Sequence, residues 1–422
     1  MPQAMPTSTS NKSAFAELGL KATIAQLEEE IRELYLADDV PWIVGYSGGK
    51  DSTAVLQLTW LALAGLPVER RRKTVHVIST DTMVENPIVA AWVTRSLEVM
   101  RTSATAQGLP IRAHRLTPRH EDSFWVNLIG KGYPAPRHKF RWCTERLKIK
   151  PSNAFIAGVV RQSGEAILLL GSRKAESQAR ARVMMRHEKH RARDRLSPNA
   201  ALTNTLVYTP IEDWSNDDVW MFLMQVNNPW GYINKDLLSM YQGASPDGEC
   251  PLVVDSSTPS CGDSRFGCWV CTLVDKDKSM TAMIQNDQEK EWMTPLLELR
   301  NALDFRTGAR TEEETSDRHL RDFRRMSGAV QLFHDRPIPG PYTQEARENW
   351  LRKLLAAQTW IRRNGPPEVR NIELISLAEL QEIRRIWVVE KHEMEDSLPR
   401  IYARSHGRAL PRPQARRQSG SW

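Results

Sequence analysis

The chain is poor in cysteine, and nowhere does it keep an apolar run long enough to cross a membrane. Its longest mostly apolar stretch, Ala54 to Val68, is interrupted by Gln57 and Thr59. A spanning helix needs about 20 such residues in succession. The first residues, MPQAMPTSTSNKS, are polar and hold no apolar core of a secretory leader. The expectation is a soluble, cytoplasmic protein. Five cysteines in 422 residues are too few for the disulfide framework of a secreted domain. Thiols in a reducing compartment point instead to metal or redox sulfur chemistry. No cysteine follows Cys271, no internal repeat is visible, and no acid follows Pro399.

That acid-free end carries Arg400, Arg404, Arg408, Arg412, Arg416 and Arg417. A second basic run, Gly171 to Arg195, sets nine Lys or Arg against Glu176, Glu188 and Asp194. The net charge is +7 and the isoelectric point about 9.2. Either run could be a solvated face or a tail, yet two of them in one chain suit a polyanionic partner such as a nucleic acid. The length suggests two or three domains.

The most informative segment is SGGKDST, Ser47 to Thr53, directly after the apolar run Trp42 to Tyr46. Gly48 and Gly49 allow a tight turn that brings backbone N–H groups close to an anion. Lys50 adds a charge, and Ser52 and Thr53 open a helix whose N-terminus faces the same place. The segment is not a Walker A loop, because Val44 stands where that motif needs glycine and Asp51 where it needs Ser or Thr. Ser47, Gly48, Gly49, Lys50, Asp51, Ser52 and Thr53 are therefore the candidate phosphate ligands. Further strands are expected at Thr74–Ser79, Ile111–Leu116, Ala166–Leu170 and Leu206–Thr209, with helices over Lys21–Ala37, Ala54–Leu63 and Pro87–Met100. This alternation predicts an α/β domain with a doubly wound parallel sheet. Ligands of such sheets sit at the carboxyl ends of strands, where Asp81, Gly171, Arg173 and Glu176 also fall.

Cys268 and Cys271 form a CxxC pair, with Cys261 and Cys250 upstream and Cys143 far upstream. Such spacing suits a Cys₄ zinc site or a [4Fe–4S] cluster. From Met280 onward the texture is helical.

Three more segments carry a resemblance: HKFRWCTERLKIKP (138–151), LGSRKAES (170–177) and TPIEDWSNDDVW (209–220). With SGGKDS, they resemble the PAPS reductase family, a branch of the PP-loop ATP pyrophosphatases with an adenine nucleotide α-hydrolase-like fold. The block CPLVVDSSTPSCGDSRFGCWVC (250–271) is similar to that of the sulfurtransferases of bacterial DNA phosphorothioation. The resemblance spans about residues 39 to 280. It implies ATP with Mg²⁺, release of pyrophosphate, a [4Fe–4S] cluster held among Cys143, Cys250, Cys261, Cys268 and Cys271, and Lys50, Asp51, Arg141 and Arg173 as catalytic groups. DNA, a cysteine desulfurase as sulfur donor and other subunits of a phosphorothioation complex are the implied partners. Iron–sulfur tRNA thiolation shares the loop, the cluster and the basic surface. PAPS or APS reduction fits less well, since those enzymes carry a cysteine near the C-terminus. The expected organisation is an N-terminal helix over 1–38, a pyrophosphatase domain over 39–235, a cysteine-rich segment over 236–279, a helical region over 280–398 and a basic tail over 399–422.

Overall fold

A six-stranded sheet organises the first half of the chain in the computed structural model, which describes residues 13–138, 140–245, 266–305, 317–325 and 328–411. Its strands are β1 (Trp42–Gly45), β2 (Val75–Thr80), β3 (Ile111–Leu116), β4 (Ala166–Leu169), β5 (Ser197–Pro198) and β6 (Thr205–Tyr208), in the order β3-β2-β1-β4-β6-β5. All pairings are parallel except the short β5 against β6. β1 lies beside both β2 and β4, so the winding direction reverses at its carboxyl end. That is the place where open α/β sheets bind ligands.

β1 and β4 are apolar almost throughout because both of their faces are covered. On one face Ile43, Ile78 and Leu168 pack with Ile156 and Val159 of the helix Lys150–Ser163. Helix α1 (Gly19–Leu36) buries Ile24, Ile31 and Tyr35. It contacts α2 (Lys50–Ala64) through Arg32 Nε, which donates to the Ala62 carbonyl at 3.2 Å. Helix α2 is buried on nearly every side, from Ser52 to Leu63, which explains the long apolar stretch without any membrane. No helix among the described residues is long and apolar enough to span one. Helix α3 (Pro87–Ala106) begins at the expected proline and runs a turn and a half past its expected end.

The chain divides into two compact units that interleave along the sequence. The first comprises the described residues of Met1–Thr80, Ile88–Leu116 and Ser152–Ser264, and contains the sheet. The second comprises those of Asp81–Pro87, Thr117–Pro151 and Arg265–Trp422. In the second unit the helix Gln344–Asn364 buries Trp350, Leu351, Leu354, Leu355 and Ile361, at helical spacing. The residues after Pro399, read above as a tail, begin as part of a helix, Leu398–His406. Leu398, Ile401 and Tyr402 give that helix a buried edge, which outweighs its arginine-rich composition.

One polar pair inside the sheet has a measurable consequence. His76 on β2 and His114 on β3 stand side by side, with Nδ1 and Nε2 3.0 Å apart. Phe155 covers both rings. Burial first, then the His114 and Arg112 charges, pushes His76 down to about 4. Burial and the Arg101 and Arg112 charges push His114 down as well. A folded-state pKa below the unfolded value of about 6.5 gives stability that is complete above pH 6.5. That stability is lost as pH falls toward 4. His76→Gln should flatten this part of a pH–stability curve by on the order of 1 kcal/mol, allowing for water at the half-buried rings. An identical acid slope in wild type and variant would show that His76 titrates alike in the folded and unfolded chain.

Candidate nucleotide loop and cysteine site

Ser47, Gly48 and Gly49 connect β1 to α2, as the sequence predicts. Gly48 sits at φ +77°, and a Cβ there would come 2.5 Å from Val93 Cγ2. Only glycine fits both the turn and the neighbour. Gly49 precedes the first residue of α2, and its carbonyl accepts from Ser52 Oγ at 3.0 Å and Thr53 Oγ1 at 2.9 Å. Ser52 Oγ in turn accepts from Ser47 N at 3.2 Å. The hydroxyls thus brace the loop from inside, Ser47 Oγ also accepting from Gly49 N at 3.4 Å. The helix begins at Lys50, two residues before its expected opening at Ser52.

The charged side chains of this loop are linked. Asp51 Oδ1 accepts from Arg173 Nε at 2.6 Å, and its Oδ2 pairs with Lys50 Nζ at 3.1 Å. Arg173 is only 3% exposed and also donates from Nη1 to the Trp214 carbonyl at 3.2 Å. Gly171 permits this junction: a Cβ on it would lie 2.8 Å from the Asp51 carbonyl. The strand-end segment after β4 is thereby pressed onto the first turn of α2. Glu176 does something else. It accepts from Arg173 N at 2.9 Å and pairs with Arg180 at 2.5 Å, so it caps a short turn. Asp213 pairs with Lys174, and Ser215 caps the helix Asn216–Gln225. Trp214 and Trp220 are buried packing residues.

Tyr241 was not foreseen. Its hydroxyl accepts from Lys50 N at 3.4 Å, and its ring centroid lies 5.9 Å from Lys50 Nζ. Nothing in the sequence near Tyr241 signals this, since 191 residues separate the two.

The basic run after Arg173 is largely neutralised within the fold. Arg191 pairs with Glu212, Arg193 with Asp38 and Glu165, and Arg195 with Glu30 and Glu33. Arg182, Arg186 and Lys189 make no ion pair among the described residues. Arg182 and Arg186 lie on the helix Gln178–Glu188, which buries no side chain.

In the second unit, residues 84–86 and 267–269 form a short antiparallel ladder. Trp269 N donates to the Val84 carbonyl at 3.0 Å and Asn86 N to the Gly267 carbonyl at 3.2 Å. The ladder sets Cys268 Sγ 3.3 Å from Thr82 Oγ1. A turn closes the CxxC pair, with Cys271 N donating to the Cys268 carbonyl at 3.0 Å. The fully buried Arg300 holds the segment that follows, donating to the carbonyls of Cys271 at 3.0 Å, Asp275 at 3.1 Å and Val274. Burial pushes the Cys268 thiol up to about 11. It also raises the Cys143 thiol, and the nearby Cys271 adds to that rise. Cys143, Cys268 and Cys271 therefore gather in one unit as free thiols. Among the described residues no three His, Cys, Asp or Glu side chains close into a metal-binding group. Cys250 and Cys261 lie outside the described residues. The donor chemistry of the three thiols fits a thiophilic metal centre, since metal ligation favours the thiolates that burial alone disfavours.

Asp81 and Arg141 also belong to the second unit. Asp81 Oδ1 accepts from Met83 N at 2.8 Å and supports a turn in which Met83 has φ 64°. Arg141 is exposed, with Nη2 3.1 Å from His138 Nδ1.

The fold and the loop define a doubly wound α/β protein with a glycine-rich strand-to-helix loop at the point where the winding reverses. The chain matches the phosphoadenosine phosphosulfate reductase domain family over residues 41–273, more than half its length, and belongs to that family. An uncharacterized protein of Methanocaldococcus jannaschii is 27% identical over 200 residues, 47% of this chain and 35% of that protein. The chain thus spans about a third of that relative's length. Among solved structures, the phosphoadenylyl-sulfate reductase of Candida auris in its phosphate complex gives a TM-score of 0.28 at 14% identity, covering 47% of this chain and 83% of that one. The U34-tRNA thiolase NcsA of Methanococcus maripaludis with its [4Fe–4S] cluster gives 0.31 at 14%, covering 67% and 79%.

Proposed function

We propose that the protein is an ATP-dependent sulfurtransferase of the DndC type, which activates a DNA backbone phosphate for replacement of a non-bridging oxygen by sulfur. The observation that carries the first half is the loop Ser47–Thr53 at the winding reversal, tied through Asp51 to the buried Arg173. Such a loop suits the β- and γ-phosphates of ATP held as a leaving group. A DNA phosphate oxygen attacks the α-phosphorus, the bond to the bridging oxygen breaks, and pyrophosphate leaves. A sulfur nucleophile then attacks the DNA phosphorus, and AMP departs with the original oxygen. Lys50 and Arg173 supply positive charge where negative charge develops on the phosphates, and Mg²⁺ would accompany ATP.

The DNA half of the reading rests on the wording of the cysteine block 250–271 and on the positive charge of the chain. Cys143, Cys268 and Cys271, with either Cys250 or Cys261 as the fourth ligand, would hold a [4Fe–4S] cluster, which would supply sulfur-handling chemistry when bound. A cysteine desulfurase and other complex subunits complete the system.

Two measurements test this. Purified protein should turn ATP into AMP and pyrophosphate; ADP and orthophosphate as main products would overturn the loop assignment. Cells expressing the protein with its partners should contain phosphorothioate dinucleotides in digested DNA. Sulfur found in tRNA nucleosides and absent from DNA would assign the protein to tRNA thiolation.

A further inference from the structure

The helix Gln344–Asn364 has acids only in its first turns, at Glu345 and Glu348; from Asn349 to Asn364 it carries none. Its inner face is apolar and buried. On another face Arg352, Ala356, Trp360 and Arg363 follow at intervals of four, four and three, which aligns them along one exposed side. The helix Leu398–His406 runs beside it and is also free of acids. The two helices flank an open groove of about 490 Å³, to which Ile401 and Arg404 contribute. No carboxylate lines it. Trp360 is 45% exposed, while Trp350 on the same helix is 3% exposed. Arg352 pairs with Glu348, but Arg363 and Arg404 make no ion pair among the described residues.

An exposed tryptophan between unpaired arginines is the combination that single-stranded nucleic acids use. A base stacks on the ring and the flanking phosphates meet the guanidinium groups. The volume suits a nucleotide-sized unit better than a folded partner. The basic run of the first unit is mostly engaged with carboxylates.

We propose that this groove is a binding surface for a single strand of nucleic acid, with Trp360 stacking on a base and Arg363 and Arg404 contacting backbone phosphates. The choice of partner rests on the nucleic-acid reading above; the contact itself is measured without catalysis.

The test is fluorescence anisotropy of the full chain with labelled dT₂₀ and rU₂₀ over a series of salt concentrations. Trp360→Ala should weaken binding about tenfold or more, as loss of a stacked base does, and Trp360→Phe should recover most of it. Arg363→Ala with Arg404→Ala should reduce the slope of log K against log salt by about 1.4, for two single-strand phosphate contacts. The dT₂₀ and rU₂₀ arms show which sugar is preferred, and preference for either supports the proposal. Pyrophosphate release from ATP without nucleic acid should be unchanged in every variant, so failure of the loop reading and failure of this one are separately visible. Unaltered affinity and salt slope in both variants would overturn the groove assignment. So would displacement of dT₂₀ by a polyglutamate peptide at equal concentration of charge, which would mark a site for acidic protein segments.

Discussion

Asp51→Ala is expected to lower AMP and pyrophosphate formation at least about a hundredfold and to destabilise the fold as well. The activity loss follows from the arrangement of charges. Asp51 holds Arg173 at 2.6 Å and Lys50 at 3.1 Å, and fixes both beside the loop proposed to hold the phosphates. Groups preorganised against developing charge are typically worth two to three orders of magnitude in rate. The stability loss comes from Arg173, which is 3% exposed and would keep its charge without its carboxylate. Removing one partner of a buried pair costs about 3–5 kcal/mol, and the partial exposure of Asp51 places the effect near the lower end. Asp51→Asn separates the two consequences. Its amide oxygen can still accept from Arg173 Nε, so the melting temperature should recover more than the activity. Gly171→Ala should mimic the loss of activity, because the added methyl would stand 2.8 Å from the Asp51 carbonyl and push the loop away. Normal pyrophosphate release by Asp51→Ala would remove this junction from the chemistry.

Cys268→Ser and Cys271→Ser should each abolish iron binding. Protein purified without oxygen should be brown and hold about four irons per chain, as a cluster of this type requires. Each variant should be colourless, while its ATP turnover without nucleic acid should change little. Arg300→Ala offers a test that leaves the thiols intact. Arg300 donates to the carbonyls of Cys271, Val274 and Asp275 and pairs with Asp304 at 3.2 Å. Losing it frees the loop behind the CxxC turn and should both lower iron occupancy and destabilise the protein by about 3 kcal/mol or more. Stoichiometric zinc without iron, after anaerobic purification, would replace the cluster by a zinc centre.

Much of the first unit was legible in the sequence because its elements are set by local chemistry. The five parallel strands were found within a residue or so, since runs such as AILLL at Ala166 have no alternative in a sheet covered on both faces. The SGGKDST turn between strand and helix declared itself because two glycines and a helix start stand adjacent in the chain. Glu176, a carboxylate at a strand end, is engaged with the Arg173 N–H and with Arg180, partners that its position in the sequence does not reveal. The basic run from Arg173 to Arg195 carries less free charge than its composition suggests, though Arg182, Arg186 and Lys189 make no ion pair among the described residues. Its carboxylate partners lie as far away as Glu30, Glu33 and Asp38, and composition within a window cannot register them.

By itself the sequence determined the α/β class, the strand-to-helix loop, the CxxC spacing of Cys268 and Cys271 and the helical character of the C-terminal region. Periodicity, glycine and thiol spacing are properties of neighbouring residues. Tertiary structure alone decided that Asp51 and Arg173 form one junction, that Tyr241 stands over Lys50, that Arg300 braces the CxxC turn and that Trp360 remains outside while Trp350 is buried. These depend on strand order and helix packing, which bring together groups far apart in the chain. They hold because buried charges and carbonyls must find partners wherever the fold places them.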